Sequence, residues 1–270
     1  MKLIDCHTHL HDFEDVEISK ILKRANEAQV FAIVTAGTTL ESSEKAIKLS
    51  KKYPQVFSGV GIHPSELDSE FSAKTANNIL ELASSNEVVM ISEIGLDFMD
   101  NSPDRAVQYK AFRRQIGVAR ELSLPIIFHC REAYSDAIRV LKEERAFEVG
   151  GAMHYFQGDQ LIANQLVDLG FHISFGRPLL RMPDLQKVAL NIPINRILLE
   201  TDSFPQPFKK NRDNWTEPRH TLDVANEISR IKNIDVEEVA SITSRNTLQM
   251  LKNAIMLKSH FDSLSHHSET

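Results

Sequence analysis

Short runs of apolar, largely β-branched residues recur along the chain and alternate with segments that repeat apolar positions every three or four residues. The runs are apolar on both faces, which is typical of strands in a parallel sheet covered by helices. They are the segments KLIDCHT, FAIVTAG, VFSGVGIH, VVMISEIG, PIIFHC, GGAMHYF, FHISFG and RILLETD. The pattern therefore predicts about eight strands that alternate with helices.

One intervening segment carries clear helix signals. Ser102 suits an N-cap, and Pro103 suits a first helical turn because its fixed φ and missing N–H cost nothing there. Tyr109, Phe112 and Ile116 then recur at three- and four-residue spacing, which places an apolar stripe along one face. We expect a helix after Ser102 that packs against the sheet.

About eight strands alternating with helices are typical of a (β/α)8 TIM barrel, an α/β fold whose strands close on themselves. An open doubly wound sheet is the alternative. No Gly-x-Gly-x-x-Gly motif or P-loop follows a predicted strand, which disfavours nucleotide-cofactor variants of that sheet. We expect one barrel domain over residues 1–257, a long loop at 204–220 after the last strand, and a polar, frayed tail at 258–270.

Composition and charge narrow the class of protein. The chain has 270 residues, 42% hydrophobic and 25% charged, as in soluble globular domains. Its formal net charge of −6 argues against a broad basic surface that grips long duplex nucleic acid. Cys6 and Cys130 lie in apolar runs, and we expect them to be small buried residues in a reducing compartment. With no leader-like start and no apolar run of roughly 18 residues, we expect a cytoplasmic protein without a membrane partner.

Six metal-ligating side chains fall at the ends of predicted strands. In the segment LIDCHTHL, His7 and His9 share one face of the first strand, while Cys6 and Thr8 point away, because residues i and i+2 lie on the same side. Four later strands end in one further candidate each: Glu93, His129, His154 and Asp202. The C-terminal ends of barrel strands form the active-site mouth, so we expect the six groups to meet there.

A cluster of four imidazoles and two carboxylates is unfavourable inside a protein unless a cation compensates the carboxylate charge. Six ligands exceed what one catalytic zinc ion takes, but they suit two divalent ions about 3.5–4 Å apart. Glu93 is the natural bridge, since a carboxylate can offer one oxygen to each ion. The mixed nitrogen and oxygen ligands favour zinc, manganese, iron or nickel, with magnesium less favoured.

Three further side chains are candidates for substrate binding. Arg131 shares a strand face with His129 and could hold a phosphate through its planar guanidinium, or form a surface salt bridge. His63 follows the third strand and could donate to a phosphate, or be an ordinary exposed histidine. Phe156 shares a face with His154 and could stack on a base, or be a hydrophobic residue of the rim.

Two acidic residues and one basic cluster are open to two interpretations each. Glu200 faces the interior with Asp202, and either orients a ligand imidazole or forms an internal salt bridge. Asp97 either helps to shape the loop after Glu93 or forms only an Asx-turn. A loop cluster either guides a phosphate chain or consists of solvated charges: Lys209, Lys210 and Arg212.

Several sequence blocks, in this order, resemble the TatD family of metal-dependent deoxyribonucleases, within the amidohydrolase-like barrels. The blocks are IDCHTHL, GIHP, SEIGLDF, PIIFHCREA, GGAMHYFQG and LLETDSFP. The resemblance implies a TIM barrel, divalent metals, and hydrolysis of DNA phosphodiester bonds, often as a 3′-to-5′ exonuclease. By block match it implies that His63 and Arg131 contact substrate and that the metal ligands are His7, His9, Glu93, His129, His154 and Asp202.

The chain also departs from the family pattern, at positions outside the ligands. The segments HYFQG and SFGRP replace the family's His-Cys-Phe-Ser-Gly and Ser-Phe-Ser-Gly. TDSFP displaces the proline of Thr-Asp-Ser-Pro, and NWTEP replaces the Arg-Asn-Glu-Pro loop. These changes alter the rim that would meet the substrate.

The ligand set and the resemblance together predict a hydrolase that cleaves DNA with a water activated by two metals. Asp202 is the best placed general base, and Glu93 bridges the ions. The expected substrate is DNA as single strands or strand ends, and the sequence predicts no oligomeric state. The alternatives are a small-molecule amide, lactone or phosphoester hydrolase on the same barrel, and a non-enzymatic, metal-stabilised binding module. The fourth strand has no lysine, which disfavours the first alternative because many such enzymes bridge their metals through a carboxylated lysine.

Overall fold

In the computed structural model, which describes residues 1–251, 257, 259 and 260, the strands form one parallel sheet. Its eight strands follow one another in chain order, as the sequence predicted for a TIM barrel. They are β1 (Leu3–Thr8), β2 (Val30–Ala36), β3 (Val56–Val60), β4 (Val88–Asp97), β5 (Ile126–Arg131), β6 (Gly151–Met153), β7 (His172–Phe175) and β8 (Ile197–Leu199).

Helices connect the strands and cover the outside of the barrel. Those within the described residues are α1 (Asp15–Glu27), α2 (Leu40–Lys52), α3 (Ala73–Ala83), α4 (Arg105–Glu121), α5 (Tyr134–Glu143), α6 (Gln160–Asp168), α7 (Pro183–Asn191), α8 (Thr221–Lys232) and α9 (Val236–Met250). None of them combines the length and the apolar content that a membrane span requires.

Helix α4 begins two residues later than its sequence signals predicted. Asp104 is the N-cap, and its carboxylate accepts hydrogen bonds from the N–H groups of Ala106 and Val107. Ser102, predicted as the cap, instead donates its hydroxyl to Asp97 at 3.1 Å. The helix starts after Asp104 because the carboxylate of Asp104 accepts hydrogen bonds from two N–H groups of the first turn that have no partner within the helix.

The barrel is nearly closed, and its seam lies beside the candidate ligands. Just beyond β8, the N–H of Asp202 donates to the carbonyl of His7 at 3.0 Å, and the N–H of His9 donates to the carbonyl of Ser203 at 2.8 Å. The closure therefore fixes the end of β1 against the segment that follows β8.

Two apolar layers stabilise the fold. The larger lies between the sheet and the surrounding helices, where residues such as Ile33, Ile91 and Phe112 are buried. The smaller fills the barrel and comes almost wholly from strands, with Ile4 and Val34 among its members.

The first strand departs from strict alternation. Its register against β2 shifts between Asp5 and Thr8. Cys6 belongs to the inner apolar cluster, and its Sγ lies 3.3 Å from the hydroxyl of Ser174 inside the barrel. The prediction that Cys6 points away from the site is therefore wrong, because the shift breaks the i, i+2 rule. Cys6 and Cys130 are both buried and not disulfide-bonded, as expected.

The neighbouring strands β4 and β5 approach closely because of one glycine. Gly95 has a φ of +143°, and a Cβ at this position would lie 1.9 Å from the carbonyl oxygen of His129. Only glycine fits such a contact without moving the backbone. This approach places β4, which carries Glu93 two residues before Gly95, directly beside β5, which carries His129.

The segment after β8 is the long loop that the sequence predicted. Between 203 and 220 it contains only two short 3-10 turns, Arg212–Asn214 and Pro218–His220. The tail predicted at 258–270 lies outside the described residues, except for Ser259 and His260.

Candidate metal centre

All six predicted ligands lie at one mouth of the barrel, at the C-terminal ends of the strands. Three are on strands, on β1, β4 and β5: His7, Glu93 and His129. Three follow β1, β6 and β8: His9, His154 and Asp202. Five of these side chains line a cavity of about 790 Å³, and His7 is fully buried behind them. The structure therefore brings together residues from both ends of the chain.

Glu93 lies at the centre of the cluster and presents one oxygen to each of two histidine pairs. Its Oε1 is 2.6 Å from Nε2 of His154 and 3.3 Å from Nδ1 of His129. Its Oε2 is 3.4 Å from Nε2 of His7 and 3.5 Å from Nε2 of His9. This is the arrangement expected of a carboxylate that bridges two cations.

Asp202 completes the side of the cluster that faces β1. Its Oδ1 lies 3.3 Å from Nε2 of His9 and 3.9 Å from Nε2 of His7. The residue has a left-handed φ of 50°, a conformation that is uncommon for a residue with a side chain and that recurs at active sites. Burial opposes ionisation of Asp202, but the hydrogen bond and charge of His9 hold its pKa below the ordinary value.

Two imidazoles are oriented by contacts on their far side. Nδ1 of His9 lies 2.9 Å from the carbonyl oxygen of Ala36, an acceptor that requires this nitrogen to carry the proton. Nε2 of His129 lies 2.9 Å from Oδ2 of Asp97. In each ring the other nitrogen is thereby directed at Glu93 as a potential ligand.

Asp97 does more than the Asx-turn that the sequence suggested. Its Oδ1 does accept the N–H of Met99 at 3.0 Å, as in such a turn. Its Oδ2 contacts His129. Burial alone would raise the pKa of Asp97, but the hydrogen bond with His129 keeps it below the usual range. The carboxylate therefore shapes the loop and positions a candidate ligand.

Glu200 is fully buried beneath His154. It accepts the N–H of Tyr155 at 2.8 Å and the hydroxyl of Ser174. Its Oε1 lies 3.5 Å from Nδ1 of His154. No lysine or arginine pairs with Glu200 in the described part of the chain, so of its two interpretations the contact with a ligand imidazole holds and the salt bridge does not.

Within the described residues, several buried polar atoms of the cluster form no hydrogen bond. They are Nδ1 and Nε2 of His7 and Nδ1 of His154, whose 3.5 Å contact with Glu200 does not have hydrogen-bond geometry. Buried polar atoms are almost always paired, so unpaired atoms of this kind are typical of a site that binds an ion or a water molecule. Burial lowers the pKa of His7, which favours the neutral imidazole that a metal ligand requires.

The donor atoms also have the spacing that metal binding requires. Among the described residues, four groups each hold ligand atoms within 4.8 Å of one another: His7–His9–Glu93, His7–His154–Asp202, His63–Glu93–His129 and, at the edge of the cluster, His9–His11–Asp12. Imidazole and carboxylate donors suit zinc, manganese, iron or nickel. The residues present therefore fit divalent metal binding.

His63, predicted as a substrate contact, also touches the metal cluster. Its Nε2 lies 3.4 Å from Oε1 of Glu93, and its ring centre is 4.5 Å from that of His129. Burial lowers its pKa to about 4, so the ring is neutral. The sequence pattern could not reveal that His63 is a potential metal ligand. His63 follows β3 and has no second histidine two residues away, as His7 and His9 have.

Of the other two predicted substrate contacts, one reaches the mouth. Arg131 is exposed, lines the cavity and forms no ion pair within the described residues. Phe156 is only 1% exposed and packs edge-to-face on Phe175, with ring centres 6.2 Å apart. The prediction that Phe156 stacks on a base is wrong, since its side chain lies in the core. The aromatic side chains that line the cavity are Tyr134, Tyr155 and Phe204.

Nearly the whole chain is similar to proteins of one family. The family model described as TatD related DNase matches residues 4–252. The uncharacterized metal-dependent hydrolase YabD of Bacillus subtilis (strain 168) is 33% identical over 256 residues, covering 93% of this chain and 99% of the relative. The 3′-5′ ssDNA/RNA exonuclease TatD of Erwinia tasmaniensis is 32% identical over 241 residues, covering 86% of this chain and 92% of the relative.

Solved structures give the same result. YJJV, a TatD homologue from Escherichia coli k12, has a TM-score of 0.83 and 25% identity, and the match covers 92% of this chain and 97% of that one. The fold is shared more widely, with a TM-score of 0.69 and 12% identity to a phosphotriesterase homology protein from Escherichia coli, over 90% of this chain and 98% of that one. The predicted resemblance is confirmed, and the chain belongs to the TatD family of metal-dependent hydrolases, built on an amidohydrolase-like barrel.

Proposed function

We propose that the chain hydrolyses phosphodiester bonds of DNA from strand ends, as a 3′-to-5′ exonuclease that uses two divalent ions. The observation that carries this proposal is the position of Glu93, whose two oxygens face different histidine pairs. A single ion would need only one of those pairs and an open position.

The contacts divide the ligands into two sets that share Glu93. One set consists of the three groups on the Oε2 side: His7, His9 and Asp202. The other consists of the two predicted ligands on the Oε1 side, His129 and His154, beside which His63 also contacts Oε1. When bound, the ions would supply Lewis acidity at the phosphate and lower the pKa of a water molecule.

Two residues have roles of their own in the reaction. Asp202 directs Oδ1 at His9, while Oδ2 makes no hydrogen bond within the described residues and can accept the proton of the attacking water. The guanidinium of Arg131 lines the same cavity and can neutralise charge on the non-bridging phosphate oxygens.

Three further observations support nucleic acid as the substrate. The matching family is described as TatD related DNase, and one relative is named as an exonuclease of single-stranded DNA and RNA. The mouth is lined by Tyr134, Tyr155 and Phe204, whose rings can stack on unpaired bases. The net charge of −6 favours a local grip on a strand end over a long duplex.

The direct test is digestion of end-labelled single- and double-stranded DNA with added Mg²⁺, Mn²⁺ or Zn²⁺, with EDTA as the control. We expect single nucleotides to be released from the 3′ end of single strands, and no release with EDTA. A panel of small carboxylic and phosphate esters runs beside it. Ester turnover without cleavage of any DNA would replace this proposal with a small-molecule hydrolase.

A further inference from the structure

A second cavity, of about 550 Å³, lies beside the metal centre. It is bounded by the segment after β7 and by the long loop after β8. Tyr155 lines both this cavity and the mouth, so the two share a wall. The basic side chains that line it are Arg177, Arg181, Lys209 and His220. We refer to it as the basic cavity.

The cations of the basic cavity have no carboxylate partners. Within the described residues, no carboxylate oxygen lies within 4 Å of the charged nitrogens of Arg177, Arg181 or Lys209. Arg177 donates to the hydroxyl of Thr216 at 3.3 Å, and Lys209 donates to the carbonyl of Asn214 at 3.0 Å. Asp213 also lines the cavity but pairs with none of the three.

A contrasting set of arginines lies nearby: Arg24 on α1, and Arg212 and Arg219 in the same loop. All three pair with the buried carboxylate of Glu217, and Arg212 also pairs with Glu17. Each of these arginines therefore has a carboxylate partner, whereas the cations of the basic cavity have none within the described residues. Partial burial lowers the pKa of Lys209, and the charges of Arg177 and Arg181 lower it further, so the three cations repel one another.

The three residues of the predicted basic cluster, Lys209, Lys210 and Arg212, have different surroundings in the structure. Arg212 is held by Glu217, Lys210 is exposed, and only Lys209 faces the basic cavity. Its partners there come from GRPLLR, which begins inside the departure SFGRP from the family pattern. Their convergence could not be read from spacing, because Arg177 and Lys209 follow different strands.

Tyr155 forms the wall that the basic cavity shares with the mouth. It lines both cavities and directly follows the candidate ligand His154 in the chain. Its ring packs against Gly176, the residue before Arg177. A ligand that reaches the metal centre can extend past Tyr155 into the basic cavity.

We propose that the basic cavity binds a second phosphate of the strand whose reacting phosphate lies at the metal centre. The inference rests on the proposed function and narrows its substrate to a nucleic acid with at least one phosphate beyond the cleaved bond. Arginine forks hold phosphate oxygens through paired, charge-assisted hydrogen bonds, and the three cations would lose their mutual repulsion when an anion binds.

The test compares two substrates of the Mn²⁺-loaded enzyme. A single-stranded oligonucleotide has a second phosphate, whereas bis(p-nitrophenyl) phosphate has one phosphodiester and no other. For the double variant Arg177→Gln/Arg181→Gln we expect the KM for the oligonucleotide to rise about tenfold. Its kcat/KM for the small diester should stay within about twofold of wild type, since the metal ligands are intact. Equal losses on both substrates, or no loss on the oligonucleotide, would overturn the assignment.

Two controls sharpen the comparison. Arg245→Gln removes one positive charge, as each of the two substitutions does, from an exposed position on α9, whose neighbours Ser244 and Asn246 bond to the N-terminal ends of β1 and β8. It should leave both substrates unaffected. Because Arg181 is exposed, Arg181→Gln alone should fold normally and give part of the effect.

Methylphosphonate linkages identify which phosphate is recognised. One neutral linkage next to the cleaved bond should raise the KM of wild type but not that of the double variant. An oligonucleotide without its terminal phosphate tests whether the basic cavity binds that terminal phosphate instead of an internal one. An effect of neither change on wild type would contradict the proposal.

Failure of the proposed function has a different signature. If wild type cleaves no phosphodiester, that function is wrong, and anisotropy binding of a labelled oligonucleotide in EDTA still tests the cavity. Recognition of a phosphate predicts weaker binding by the double variant and a shallower salt dependence. Equal affinities would overturn it.

Discussion

The carboxylate of Asp97 contacts a loop with one oxygen and a candidate ligand with the other. The sequence predicted the first contact, because Asp in Gly-Leu-Asp-Phe is a typical turn residue. The second depends on the register of β4 against β5, which pairs Gly95 with His129 and Asp97 with Arg131. Register is a tertiary property, so local spacing could not supply it.

Asp97→Asn tests whether this contact positions His129. We expect the affinity for the ion on the Oε1 side of Glu93 to fall about 10- to 100-fold, because the amide no longer fixes the imidazole through a charged acceptor. Competition with a fluorescent chelator measures this. Ser102→Ala is the matched control, since it removes a contact only from Oδ1. Equal affinities in both variants would show that the Oδ2 contact has no such role.

Asp202→Asn tests the general base. We expect kcat on single-stranded DNA to fall at least about 100-fold, because the amide cannot accept the proton of the attacking water. Metal content must be measured beside activity, since Oδ1 also faces two candidate ligands. A folded variant with full metal content and full hydrolysis would remove this role from Asp202.

Phe156 shows where reasoning from strand alternation fails at the level of a residue. Strand β6 ends at Met153, and Tyr155 has a left-handed φ of 45°. The chain therefore leaves the strand geometry before Phe156, which turns into the core while His154 stays at the mouth. Apolar composition extended the predicted strand beyond its true end.

At the scale of elements, the long loop after β8 is fastened to the first helix by Glu217. Both carboxylate oxygens accept from Arg24 of α1, each at 2.8 Å, and Arg212 of the loop adds a third contact at 2.8 Å. The sequence predicted the loop from its polar and proline-rich composition. It could not predict the fastening, since Arg24 and Glu217 are 193 positions apart.

Glu217→Gln should lower the free energy of unfolding by about 2 kcal/mol at pH 7, because charged hydrogen bonds to a buried carboxylate are lost. Urea unfolding followed by circular dichroism measures the difference. Asp15→Asn is the control, because its pair with Lys52 lies on the exposed surface and should change stability by less than about 0.5 kcal/mol. A Glu217→Gln effect no larger than that of the control would contradict the claim that Glu217 stabilises the contact between the loop and α1.

The same variant gives a pH dependence of known sign. Burial alone would raise the pKa of Glu217, but the hydrogen bonds from Arg24 and Arg212 hold it below the ordinary value. Its contribution is therefore present above the unfolded carboxyl pKa of about 4.3 and is lost as the pH falls through the lower folded value. We expect the stability difference between wild type and Glu217→Gln to shrink below pH 4. A gap that widens there would contradict the assigned sign.

At the scale of the whole molecule, the sequence predicted both the barrel and the meeting of its ligands. It succeeded because apolar runs of strand length alternate with helices, and because each candidate ends or follows such a run. Parallel strands in chain order place those ends at one mouth. What it missed lies between elements that are distant in the chain: the contacts of His63 with Glu93, the shifted register of β1, and the basic cavity.

Metal binding should therefore stabilise the entire fold, since the cluster joins β1, β4 and β5 to the segments after β6 and β8. At a free metal concentration about 100 times the Kd, we expect the Tm to rise by about 5–10 °C over the EDTA-treated protein. Differential scanning calorimetry measures the shift. Glu93→Gln should show a much smaller one, because it weakens the shared ligand. An equal response of that variant would mean that the metal binds elsewhere.

The central claim is that one carboxylate joins two ions at this mouth. Its most direct test is the anomalous scattering of crystals grown with Mn²⁺ or Zn²⁺. The account predicts two peaks about 3.5–4 Å apart, one on each side of Glu93, with Asp202 beside one and His129 beside the other. A single peak, or peaks away from Glu93, would contradict it.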